Sequence, residues 1–158
     1  MNERKQLWLI LEAAIVCLIF AACWAIGGSG DFWYGQKWIR RFLGPGIFGL
    51  WAFFRSGFDW RYFIQMGLMM GASTLPYGAD NTWTKIFLRF SSGAAIGTAS
   101  SVVNIWYKKW LIVGIHIFAC IFFSIMFGVF NPLEAMWEQF ILGFIYCFIP
   151  AMCVRKKS

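Results

Sequence analysis

From Leu7 to Ile26 the chain carries one charge, Glu12, in an otherwise unbroken apolar run. At about 1.5 Å per residue, a helix of that length matches the roughly 30 Å of a bilayer's hydrocarbon. Further apolar segments follow at about 42–54, 62–75, 86–107, 110–130 and 140–154. A chain of 158 residues has too little interior to hide six such runs from water, so they must face lipid or one another. The composition agrees, with 60% hydrophobic and 13% charged residues and a mean hydropathy of +0.64, outside the balance of a soluble domain. The expected fold is therefore all-α, a single polytopic transmembrane helical bundle over 1–158 with about six spans.

The charges then assign sides. The net charge of +7 and pI near 9.4 come from 14 Lys and Arg placed in short clusters between the apolar runs. They form no continuous stripe of the kind that tracks a phosphate backbone, so nucleic acid is not an expected partner. With six crossings and the N-terminus inside, Arg4, Lys5, Arg55, Arg61, Lys108, Lys109, Arg155, Lys156 and Lys157 are cytoplasmic. Lys37, Arg40, Arg41, Lys85 and Arg89 lie outside, and this excess of inside cations fits the positive-inside rule. If segment two failed to cross, every later loop would change sides and the agreement would be lost. That segment is the short one, and Gly44-Pro45-Gly46 is expected to break or kink its start, leaving it tilted or re-entrant.

The N-terminus resembles a secretory signal, but Glu12 interrupts its apolar run and Phe20 fits a cleavage site poorly, so the segment is expected to stay as a span. Asp31 to Arg41 mixes aromatic rings with cations, as expected of an interfacial loop or short helix. Tryptophans and tyrosines gather near the segment ends in an aromatic belt that needs no ligand to explain it. Cys17, Cys23, Cys120, Cys147 and Cys153 sit in or beside apolar stretches without a CxxC pair, and read as small buried hydrophobes. A faint repeat links Arg41-Phe42 and Arg89-Phe90, each followed eight residues after the Arg by Gly49 and Gly97; Trp137-Glu138-Gln139-Phe140 adds a third echo.

Several patterns bear on chemistry. Gly44 to Gly49 matches G-x-G-x-x-G, but no strand precedes it and no acid follows at the required distance, so no dinucleotide site is expected. True G-x-x-x-G spacings pair Gly67 with Gly71 and Gly93 with Gly97, and these predict close helix packing inside the bundle or between subunits. Ionisable groups inside spans are functional candidates by default, which singles out Glu12, Arg89 and His116. Arg89 could instead snorkel to the interface, and the other two could be paired interior groups. Segment four is rich in hydroxyls, among them Ser92, Thr98 and Ser101, and such a helix can line a wet path.

One histidine with no carboxylate cluster makes no metal site, and neither metal nor cofactor is expected. No G-x-S-x-G and no paired acids support an enzyme. The leading expectation is an oligomeric channel or small-solute or ion transporter with a polar core of Glu12, Arg89, Ser92, Thr98, Ser101 and His116. The alternative is a non-enzymatic membrane interaction module, such as an accessory subunit, an immunity factor or a phage-type lysis or exclusion protein. Either would sit in a bacterial or phage-encoded cytoplasmic membrane, with the lipid bilayer and a second copy or another membrane protein as partners.

Overall fold

The computed structural model describes residues 3–28, 37–75, 79–130 and 135–154. Its described residues are mostly helical and include no strand: α1 (Glu3–Gly28), α2 (Gly44–Arg55), α3 (Arg61–Ala72), α4 (Thr82–Trp106), α5 (Trp110–Ile125) and α6 (Ala135–Cys153). Two π turns join this set, Ile39–Leu43 running into α2 and Met126–Phe130 extending α5. Four helices are long and apolar enough to cross a membrane: Gln6–Gly27, Thr82–Trp106, Trp110–Phe130 and Met136–Cys153. Their outer faces are apolar, with Leu7, Leu11, Ile15 and Leu18 exposed on α1 and Leu111, Ile115, Phe118 and Phe122 on α5. Such a surface suits lipid and not water.

Side-chain contacts give the direction of each element. The side chain of Arg40 packs at Gly27, near the end of α1, whereas Arg55 at the end of α2 bonds Glu12. The stretch from Ile39 to Arg55 thus runs back along α1. Next, α3 starts beside the end of α4, where the Trp60 and Trp106 rings meet at 5.5 Å, and ends where Ser73 O accepts from Arg40 Nη2 at 3.1 Å. Antiparallel to α4, α5 brings His116 to Ser100 and Gly128 to Arg89. Finally α6 runs against α1, with Gln139 at Trp24 and Gly143 at Ala21. Successive elements therefore alternate between two ends. One end carries Arg4, Arg55, Arg61, Lys108 and Lys109, and the other Lys37, Arg40, Arg41, Lys85 and Arg89.

Helix backbones come closest where side chains are smallest. A Cβ on Gly93 would lie 2.9 Å from Cys120 O and Ile121 Cα, and one on Gly97 would lie 3.1 Å from Ile117 Cα. At this pair α4 packs closely on α5. Gly67 and Gly71 differ, because both are exposed and nothing lies within 4 Å of their Cβ positions. Among the described residues they pack against no helix. Gly49 and Gly97, the glycines of the faint repeat, each meet the helix that follows their own, at Met66 and at Ile117. Between α1, α2 and α6 the core is aromatic, with Trp24 fully buried between Phe20 at 5.6 Å and Tyr146 at 5.3 Å.

Four expected boundaries differ. Gly44-Pro45-Gly46 does not interrupt segment two, since the helix continues from the π turn through it. Pro45 falls in the first turn of the α-helical part, where a missing amide costs little. Segment four begins at Thr82 instead of 86, because the Asn81 side chain accepts from the Trp83 amide at 2.8 Å and the Thr84 amide at 3.4 Å, a strong N-cap. Segment six begins at Ala135 instead of 140, which takes Glu138 and Gln139 into its first turns. Segment three ends at Ala72, with Ser73 and Thr74 in turns. Asp31 to Gln36 of the expected interfacial stretch, the stop at Pro76-Tyr77-Gly78, the turn at Asn131 to Glu134 and the basic tail lie outside the described residues.

Candidate functional site

The most deeply buried charges sit near the end that carries Arg40. Arg89 lies two turns into α4 at 8% exposure, and it donates through Nη1 to Oε1 of Glu138, itself 6% exposed. Gln139 Nε2 donates to the same carboxylate oxygen at 3.2 Å, and Trp24 Nε1 donates to Gln139 Oε1 at 3.0 Å. Beyond Trp24, the Arg40 guanidinium stands 4.7 Å from the ring centroid, a cation–π contact. A polar chain thus links α4, α6, α1 and the π turn before α2.

Local sequence explains how each part arrives. Glu138 is in the first turn of α6, where the helix dipole favours a carboxylate. Gly128 belongs to the second π turn, and a side chain there would collide with the Arg89 guanidinium. A glycine lets the α5 backbone close over the charge. Single π turns inside helices recur at functional sites, and here both of them touch this arginine network. Ser92 is buried and donates to Arg89 O at 3.3 Å, while the fully buried Ser124 hydroxyl, one turn before Gly128, makes no hydrogen bond.

The other sequence candidates fall elsewhere. His116 is fully buried, with Nε2 2.8 Å from Ser100 Oγ and 3.5 Å from Cys120 Sγ. Ser100 is eleven residues from Arg89, roughly 16 Å along α4, so histidine and arginine belong to separate places. Ser101 is buried near it and its hydroxyl has no hydrogen bond. Thr98 is exposed and faces out of the bundle, and it joins no polar contact among the described residues. Glu12 is at the opposite end, accepting from Trp51 Nε1 at 2.8 Å and from Arg55 Nη1. Among the described residues no group of three or more His, Cys, Asp or Glu is placed to hold a metal ion.

A clasp closes the end that carries Arg55. Tyr107 donates to Asp59 Oδ2 at 2.7 Å, and Arg61 stands 5.2 Å and 5.0 Å from the Trp106 and Tyr107 ring centroids. The hydrogen bond to Asp59 is the main cause that pushes the Tyr107 phenol above its ordinary range. Reasoning from sequence missed Glu138, Gln139, Trp24 and Arg55 as site residues. No family model, curated protein or solved structure matches the chain.

Proposed function

We propose that the protein moves an ion or small solute across the cytoplasmic membrane of a bacterial cell, crossing the bilayer six times, with both termini inside and a second copy of the chain as partner. The Arg89–Glu138 pair carries this reading. Burying two charges in a lipid-surrounded bundle costs several kcal/mol per ion before they attract each other, and a well-packed apolar pair would hold the helices as well. Ionisable groups inside a membrane bundle are rare and expensive, which makes them candidates for a solute or proton path by default.

The alternating directions of the six elements support six crossings, and the excess of cations on the N-terminal side counted over the whole sequence agrees with them. The stretch from Ile39 to Arg55 is about 25 Å long at the usual helical rise, nearly a full crossing. Only α3 is short, about 18 Å, and it requires a locally thinned bilayer. The bare face at Gly67 and Gly71 favours a second reading, a membrane interaction module that presents α3 to another helix.

Flux into proteoliposomes tests the choice. Wild-type vesicles should pass ions or small solutes that empty vesicles retain, and Arg89→Gln should abolish that flux, while Glu12→Gln and His116→Ala locate the path. Wild-type vesicles no leakier than empty ones would remove the transport reading and leave the interaction module.

A further inference from the structure

We infer that the turns at Phe58 and Lys108 together seat one anionic phospholipid, with Lys108 and Lys109 taking the phosphodiester of its headgroup and Phe58 lying against its chains. Backbone strain points there. Among the described residues two positions other than glycine stand at positive φ, Phe58 at 66° and Lys108 at 56°, and both belong to turns at the end that carries Arg55. Residues with large side chains rarely adopt such a backbone, and those that do gather at ligand clamps and switch segments. The two turns are also clasped to each other, since Tyr107 donates to Asp59 and the Trp60 and Trp106 rings meet at 5.5 Å.

Neither strained residue is there to make its turn. Gly57, at φ 75°, already leads the chain out of α2, yet Phe58 follows it in the same left-handed region, exposed, with its ring 5.3 Å from Phe53 and 5.7 Å from Phe54. A cation beside the last carbonyls of α4 gains from the helix dipole. Lys109 supplies one from an ordinary φ of −86°, so the dipole does not explain a second lysine where glycine is favoured. The acids of this end are engaged elsewhere, Asp59 by Tyr107 and Arg61, and Glu12 by Trp51 and Arg55. Glu3 lies nine residues before Glu12, about 13 Å further along α1, and the sequence runs on from α6 into Arg155-Lys156-Lys157. Among the described residues no carboxylate pairs with Lys108 or Lys109, and Lys109 Nζ stands 6.0 Å from the Tyr107 ring centroid. Trp106, Tyr107 and Trp110 are exposed on either side of the lysines, the aromatic setting of the headgroup level. The anion found at that depth is a lipid phosphodiester, to which each ammonium offers three donors on a flexible stem. The exposed rings of Phe54 and Phe58 give the same molecule an apolar surface.

The test uses the full chain in detergent, with dioleoyl-phosphatidylglycerol and dioleoyl-phosphatidylcholine as probes. Wild type should retain the anionic lipid in preference to the zwitterionic one in native mass spectra, and should melt higher in its presence. Lys108→Gly should lose about fivefold of that preference, the usual attraction of one lysine near an anionic membrane surface, whereas Lys108→Arg should keep it. Without lipid, Lys108→Gly should melt above wild type because its backbone is relieved, and phosphatidylglycerol should narrow or reverse that order. A merely structural lysine would leave the order unchanged. Phe58→Gly should retain less of both lipids, and Lys85→Gln, at the opposite end, should behave as wild type. Inorganic phosphate should not reproduce the gain in melting temperature. Equal retention of the two lipids by wild type, a full preference kept by Lys108→Gly, or an equal loss in Lys85→Gln would overturn the inference. Phosphate that stabilises as well as phosphatidylglycerol would put a free anion in place of the lipid, and full lipid retention by Phe58→Gly would remove the second turn from the seat; either refutes the proposal as stated. Each of these results stands whether or not the vesicles of the flux assay pass a solute.

Discussion

Removing either member of the Arg89–Glu138 pair should destabilise the bundle, and the two removals should differ in a way that pH reveals. Both side chains are nearly closed off, at 10% and 8% exposure. Breaking a buried pair by deleting one partner typically costs about 3–5 kcal/mol, which for a chain of this size lowers the melting temperature by roughly 6–20 °C. Glu138→Gln should suffer the full loss at every pH, because an arginine cannot shed its charge. Arg89→Gln leaves an acid, and an acid can bind a proton. Protonating an ordinary glutamate at pH 5 costs about 1 kcal/mol, so this variant should recover most of its stability between pH 7 and pH 5. Glu12→Gln is the comparison: Glu12 is 44% exposed and so reaches water, although its partner Arg55 is only 8% exposed, and its removal should cost less than that of the Glu138 carboxylate, closed off on both sides. Thermal melts of the four proteins in one detergent at the two pH values provide the comparison. The reasoning fails if Glu138→Gln melts with Glu12→Gln, or if Arg89→Gln shows the same loss at pH 5 as at pH 7.

Three smaller perturbations examine the frame around the site. Gly93→Ala should cost about 1–3 kcal/mol, because the new methyl meets α5 backbone, which cannot turn aside. Gly67→Ala should be neutral or gain up to about 1 kcal/mol from helix propensity, unless a second chain covers that face, in which case light scattering should show the assembly falling apart. Lys108 has φ 56, and its amide and that of Lys109 bond Ile105 O at 2.9 Å and Asn104 O at 3.0 Å, a Schellman ending with lysine where glycine is favoured. Lys108→Gly should therefore stabilise the chain by about 1 kcal/mol, seen in the same melts. The Tyr107–Asp59 clasp favours the protonated phenol, so its contribution is complete below the ordinary tyrosine value of about 10 and fades as pH rises through the higher folded value. Ultraviolet titration should place that phenol above a free tyrosine, and Asp59→Asn should return it toward the ordinary range.

The places where sequence and structure part company share one physical cause. Hydropathy treats a polar residue as the edge of a span, and it located α1 and α5 well because little in them is polar. At the start of α6, Trp137-Glu138-Gln139 looked like the wet margin of a helix, when these residues are inside it and matched to a cation on another helix. Asn81 fooled the same rule at α4, since its side chain is polar for the sake of the cap. Gly44-Pro45-Gly46 announces a break only if the preceding turn is ordinary α-helix, and a π turn before Pro45 removes that premise. The glycine spacings were legible as packing signals, yet the same pattern is buried at Gly93 and bare at Gly67, because spacing fixes which residues share a face and says nothing of what that face meets. Arg89 held the remaining clue. The chain has seven acids, and those that sequence places at its end of the bundle are Asp31, Asp80, Glu134 and Glu138. Of these only Glu138 lies within a described membrane-length helix. A buried arginine demands an acid on a neighbouring helix, so that demand and the sidedness of the charges together lead to Glu138, where hydropathy alone leads away from it.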